Sequence, residues 1–174
     1  MDLKEYKCIA GTNKKGQTLM LKLSGRFWID SDSETPHGQV NGELAVNNSF
    51  DRTGHGILFR FLSDYSSTDV SIFIDEFEVK DIGCGNGTYI LQQVLIFLSE
   101  IQREHPRITF KAIHGVLSRE DREKGNWEKS IPFYKNFVNK VPAQFTYDLE
   151  FKMDELHSCG ESSKFCYLLT PAQY

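Results

Sequence analysis

Along the first 69 residues, apolar positions come in short runs separated by polar, turn-forming clusters. Tyr6–Ala10 and Thr18–Leu23 bracket Asn13-Lys14-Lys15-Gly16, the pattern of a β-hairpin. Phe27-Trp28-Ile29 leads into Asp30 to Gly38, the longest polar and breaker-rich segment, which predicts a mobile loop of the kind that lies near a substrate. Gln39–Val46 alternates weakly, Asn47 to Gly56 is turn-rich, Ile57–Leu62 resumes as a strand and Tyr65–Asp69 turns. These elements predict antiparallel strands laid down before any long helix. Exposed edge strands in this half would also be the surfaces through which a second copy pairs.

The pattern changes at Val70. Val70–Val79 is apolar on both faces in its first half, as in a strand covered on both sides, and then carries Asp75, Glu76 and Glu78. A period of two puts Glu76 and Glu78 on one face and Asp75 on the other. Buried carboxylates cost several kcal/mol unless paired or neutralised, so the run predicts either a solvated strand end or a site that raises a carboxyl pKa. After the glycines that follow, Ile90, Leu91, Val94, Leu95, Phe97, Leu98 and Ile101 recur at helical spacing and form a wide stripe that ends at His105-Pro106. Ile108–Val116 is the next strand; His114 on it reads as a base or as a packed core residue. Ser118–Lys124 is a charged loop or short helix, and Ser130 is the expected N-cap of a helix with Pro132 in its first turn. Phe145–Met153 alternates as a half-buried strand, and the turn at Cys159-Gly160-Glu161-Ser162 leads into Lys164–Leu169 to close a hairpin.

Between the central strand and the long helix stands Ile82-Gly83-Cys84-Gly85-Asn86-Gly87-Thr88. Three glycines in five residues reach positive φ and expose backbone N–H groups, and the helix that starts beside them adds roughly half a positive charge. An anionic diphosphate fits such an end; a tight strand-to-helix turn is the alternative use of the glycines.

Composition changes little in this picture. The 174 residues, 40% hydrophobic and 25% charged, suit a single domain spanning 1–174, with a strand-rich part at 1–69 and a core with a closing hairpin at 70–174. Twenty Lys and Arg against 24 Asp and Glu give a net charge of -4, without the basic excess that nucleic acid binding needs. Cys8, Cys84, Cys159 and Cys166 show no metal-ligand spacing and read as reduced thiols. No apolar leader and no stretch approaching 18 apolar residues is present, so a cytoplasmic protein without membrane contact is expected.

In order and residues, the chain resembles the GNAT superfamily of acyl-CoA-dependent N-acyltransferases. In that family a central strand runs into a pyrophosphate loop, Arg/Gln-x-x-Gly-x-Gly/Ala, and then a long helix; Ile82 to Thr88 is similar to that loop, with Gly85 and Gly87 as its glycines. The family's later strand, and a helix with a Phe-Tyr pair, resemble Ile108–Val116 and Ser130–Phe137, with Phe133-Tyr134 as the pair. The resemblance, from about Val70 to Leu169, implies an α+β fold with a central mixed, mostly antiparallel sheet flanked by helices. It implies acetyl-CoA or another acyl-CoA held by residues 82–88, an amine acceptor, Glu76 or Glu78 as the base, and Tyr134 as the acid that protonates the departing thiolate. The departures are Ile82 at the Arg/Gln position, Trp127 where an Asn stands seven residues before the tyrosine, and no early helices to wall the acceptor. They keep open a non-catalytic binding or interaction module on the same scaffold. Val79 to Gly87 also resembles the first motif of class I S-adenosylmethionine methyltransferases. That fold needs several further βα units and an acidic residue at the end of the next strand, where Ile113-His114-Gly115-Val116 stands.

Overall fold

A computed structural model describes residues 2–50, 56–63, 67–153 and 163–173. Its strands are β1 (Asp2–Thr12), β2 (Thr18–Ile29), β3 (Pro36–Val46), β4 (Ser49–Phe50), β5 (Gly56–Ser63) and β6 (Asp69–Glu78), followed by helix α1 (Asn86–Glu104). Then come β7 (Thr109–Leu117), α2 (Arg119–Glu123), α3 (Trp127–Phe137), β8 (Tyr147–Met153) and β9 (Ser163–Pro171). The fold is α+β: one nine-stranded sheet in the order β1-β2-β3-β5-β6-β7-β9-β8, with β4 beside β3. Every pairing is antiparallel except β6 with β7. A single parallel pair around one crossover helix is not the succession of βα units that a class I methyltransferase fold requires. Among the described residues no helix precedes α1, and none is long and apolar enough to cross a membrane.

The core lies on one face of this sheet. Leu19, Leu21 and Leu23 of β2 are buried, as are Val40 of β3, Ile57 and Phe59 of β5, and Val70, Ile72 and Ile74 of β6. The apolar stripe of α1 covers them, with Phe97 centred 6.5 Å from Phe59 and 6.1 Å from Phe27. Helix α3 lies against the same face, through Phe137 on Tyr167 and Tyr134 on Phe165. Residues that point the other way include Arg26, Gln39, Asn41, Glu43 and Lys164, all exposed, and Trp28, which is 46% exposed.

Three expectations change. The polar run after Ile29 is shorter than expected, because Pro36, His37 and Gly38 already pair with β2. What remains, Asp30–Thr35, is a tight turn. Its Asp30 N–H donates to the Thr35 carbonyl at 3.0 Å and its Glu34 N–H to the Asp30 carbonyl at 2.9 Å. Thr35 is fully buried and donates to the Ser67 carbonyl, so this turn sits where β6 begins, at the end of the sheet away from the glycines. Helix α3 starts at Trp127, one turn before Ser130, because the buried indole is tied by its Nε1–H to the Ser118 carbonyl at 2.9 Å. Pro132 therefore lies inside the helix rather than in its first turn. Third, the alternation of β6 is broken by a bulge: Leu58 faces Glu76 and Phe59 faces Ile74, which leaves Asp75 unpaired. Asp75 bonds Arg60 Nε at 3.1 Å, on the exposed face. Asp75, Glu76 and Glu78 are all exposed, and Phe77, opposite Ile57, takes the core-facing position. The turn at Cys159–Ser162 and part of the Tyr65–Asp69 turn lie outside the described residues; Cys8 and Cys84 are free thiols.

The parallel pair carries a second bulge, between Val70/Phe110 and Ser71/Ala112. There the Phe110 N–H finds its acceptor in the buried Tyr147 hydroxyl at 3.2 Å, which also accepts from Gln102 Nε2. Tyr147→Phe should therefore leave a buried N–H without an acceptor and lower stability by about 1–3 kcal/mol, measured as a shift in the denaturant midpoint at unchanged slope.

Candidate functional site

Strands β6 and β7 pair only as far as Phe73 and His114. Beyond that point each stays bonded to its outer neighbour, β6 to β5 as far as Glu78 with Gly56, and β7 to β9 as far as Leu117 with Ser163. The two strands thus part in mid-sheet, and their facing edges, 74–78 and 115–117, make no backbone bonds to one another among the described residues. Backbone donors and acceptors facing a gap need other partners.

An aromatic wedge lies where the strands part. Phe133 of α3 stacks on Phe77 at 6.0 Å, and Tyr134 is centred 6.3 Å from Phe77 and 4.2 Å from Phe165. Gly115 makes room for this packing, since a Cβ there would lie 2.4 Å from the Phe165 ring. Tyr134 is buried, and burial together with the carboxylate of Asp121 pushes its phenol pKa well above the ordinary value. Its carbonyl receives the Tyr167 hydroxyl at 2.8 Å.

The glycine loop sits at the same end. Asp81, Gly83 and Gly85 all have positive φ, and space around Gly83 and Gly85 is open where a Cβ would be. Gly85 is the N-cap of α1, so no side chain caps the helix, and its first turn holds no acidic residue. The Cys84 N–H goes to the Asp81 carbonyl and the Tyr89 N–H to the Gly85 carbonyl. Among the described residues, the N–H groups of Gly83, Gly85, Asn86, Gly87 and Thr88 have no backbone acceptor. Gly87 serves packing: a Cβ there would press on Phe133 at 3.2 Å and Val79 at 3.3 Å, which ties the helix start to the aromatic wedge. Ile82, at 67% exposure, contributes no polar group.

The structure thus brings residues 83–88 beside the seam and Tyr134 into it, and places Glu76 and Glu78 on the exposed side of the parted segment of β6. His114 is half-buried on β7, opposite Phe73 and Cys166, at the last paired position. Pattern reading gives the turn between β1 and β2 but not its place beside the loop. The Lys14 N–H donates to the Cys84 carbonyl at 3.1 Å, and Asn13 Nδ2 donates to Asn86 Oδ1 at 3.0 Å, so this turn is one wall of the loop. Its Asn-Lys-Lys-Gly sequence announced a turn but not where the turn would dock. A groove of about 740 Å³ near the other end of α1, lined by Glu100, Arg103, Gln144 and Tyr147 among others, shares none of these residues.

The buried acidic groups around α1 and α3 set an alkaline limit. Burial raises the Cys8 thiol to about 12 and the Tyr89 phenol, which donates to the Cys8 carbonyl at 2.7 Å, to about 12, while Tyr6, Tyr134 and Tyr167 move in the same direction. Unfolded thiols and phenols release protons near about 8.5 and about 10, so above those values the folded chain holds protons that the unfolded chain has lost. These groups add no pH dependence below about pH 8, and their loss of protons in the unfolded chain should make stability fall steadily from there to about pH 12. Tyr134→Phe should make the fall shallower above about pH 10, as read by denaturant titration at a series of pH values.

No protein-family model and no curated protein matches the chain.

Proposed function

We propose that this protein binds acyl-CoA at the glycine loop and transfers the acyl group, most simply acetyl, to an amine. The observation that carries the reading is the parting of β6 and β7 beside an uncapped helix start. A ligand with an anionic diphosphate at one end and an amide-bearing arm at the other meets both needs at once. The N–H groups of Gly83 and Gly85 to Thr88 hold the diphosphate. The arm's amides pair with the free strand edges as an added strand would.

The reaction needs a neutral amine. Glu76 or Glu78, directly or through a water, takes the proton from the ammonium; both stand on the exposed side of β6, so the acceptor arrives from the face opposite α1. The amine nitrogen attacks the thioester carbon, the C–S bond breaks, and the leaving thiolate is protonated through the Tyr134 hydroxyl, which regains a proton from the nitrogen as that becomes the amide. Burial disfavours thiolate and phenolate alike, and Asp121 disfavours the phenolate further, so Tyr134 acts foremost as a hydrogen-bond donor to the sulfur as it leaves.

The aromatic wedge favours a second reading. Phe77, Phe133, Tyr134 and Phe165 pack closely where the thioester would lie, which suits a scaffold that binds a partner without turning over a substrate.

Titration with acetyl-CoA, CoA and S-adenosylmethionine in parallel separates the readings. Acetyl-CoA and CoA should bind, raising the melting midpoint by several degrees at about 100 times the dissociation constant, and S-adenosylmethionine should not. With an amine acceptor present, Tyr134→Phe should lower turnover by about 10- to 100-fold and leave CoA affinity within about twofold. Equal turnover removes Tyr134 from the chemistry; CoA binding without turnover of any amine leaves the non-catalytic reading.

A further inference from the structure

The orientation of one amide follows from its neighbours. Asn13 Oδ1 accepts the backbone N–H groups of Lys15 and Gln17, each at 3.0 Å, so that end of the side chain is fixed as oxygen. Its Nδ2 then donates to Gln17 Oε1 at 2.9 Å and to Asn86 Oδ1 at 3.0 Å. Asn86 must therefore present its oxygen to Asn13, and its own Nδ2 is left over. That nitrogen is buried in a residue only 1% exposed and has no hydrogen-bond partner.

An unpaired buried donor keeps the full cost of its lost hydration, and a flip of the amide would only set nitrogen against nitrogen. Asn86 is the first residue of α1 and follows the Gly85 N-cap, among the backbone N–H groups that also have no acceptor. The turn that holds Asn86 carries Lys14 and Lys15, both exposed, and is docked on the loop by the Lys14 N–H, which donates to the Cys84 carbonyl. Lys15 reaches the Asp81 carboxylate at only 3.8 Å, an exposed pairing of little strength.

We infer that the β1–β2 turn forms part of the diphosphate site: Asn86 Nδ2, oriented by Asn13, donates to a phosphate oxygen, and Lys14 and Lys15 supply the positive charge that Ile82 does not. The inference rests on the acyl-CoA reading for the identity of the ligand, but not for its chemistry, which is that of a diphosphate. The turn then acts as a specificity element, since it responds to the diphosphate and not to the rest of the molecule.

The test is calorimetry on the full chain with CoA, pantetheine and inorganic pyrophosphate, for the native protein, Asn86→Ala and the double variant Lys14→Gln/Lys15→Gln. Asn86→Ala should weaken CoA and pyrophosphate alike by about 10- to 100-fold, the size of one hydrogen bond to a charged group, and leave pantetheine unchanged. The double variant alters only exposed side chains and guards against misfolding; it should weaken both anions several-fold at low salt, with the difference closing as salt rises. CoA bound equally well by all three proteins overturns the proposal and leaves the acyl-CoA reading intact. Pyrophosphate bound and lost in Asn86→Ala, with CoA not bound, keeps the proposal and removes the acyl-CoA reading. Equal weakening of CoA and pantetheine marks Asn86 as structural only, and native protein that binds neither CoA nor pyrophosphate overturns the proposal together with the reading it rests on.

Discussion

Two parallel strands that stop pairing in mid-sheet must be held apart by something stiffer than the ladder they give up. Here the spreader is aromatic: Phe77, Phe133, Tyr134 and Phe165 fill the angle between β6 and β7, while β5 and β9 keep each strand in its own ladder. The Asp75 bulge belongs to the same arrangement. The extra residue moves Phe77 onto the core face to meet α3 and turns Asp75, Glu76 and Glu78 to solvent. Gly115 and Gly87 complete it from the other side, one admitting the Phe165 ring and the other the Phe133 ring. The backbone left unpaired along the gap, and the donors left unpaired at the start of α1, then lie at one end of the molecule.

Much of this was readable from local pattern. The stripe of α1, the strand before it and the glycine run between them are contiguous in sequence, and their periodicities change abruptly where the structure changes. The closing strands β8 and β9 alternate as half-buried strands should. Departures occurred where a distant contact overrode a local preference. Ser130 is a good N-cap by residue type, but the buried Trp127 indole, anchored on Ser118, starts α3 a turn earlier. The polar run after Ile29 contains a proline and a glycine, yet three of its residues pair with β2, and the rest folds into a bonded turn far from the loop.

The candidate site divides along the same line. Residues 83–88 and Tyr134 stand out in sequence because glycine spacing and an aromatic pair are local signals. The carboxylates of β6 stood out too, and Glu76 and Glu78 do share a face, but a strict period of two sets Asp75 opposite them, whereas a bulge, which depends on the register of the neighbouring strand, turns all three to solvent. The contribution of Asn13 and its turn has no local signal at all. Only the bonds from residue 13 to residue 86 and from residue 14 to residue 84 reveal it, and in the proposed site it supplies the charge that Ile82, with its exposed aliphatic side chain, does not.

Amide hydrogen exchange with and without CoA, resolved residue by residue, reports where the backbone groups of the loop and the parted strands find partners. CoA should slow exchange at Gly83 and Gly85 to Thr88, and along Ile74–Glu78 and Gly115–Leu117 where the strands have parted, with little change in the paired stretch Asp69–Phe73. Protection confined to the groove beside Glu100 and Tyr147, or unchanged exchange at the glycine loop despite saturating CoA, would contradict a ligand held between β6 and β7.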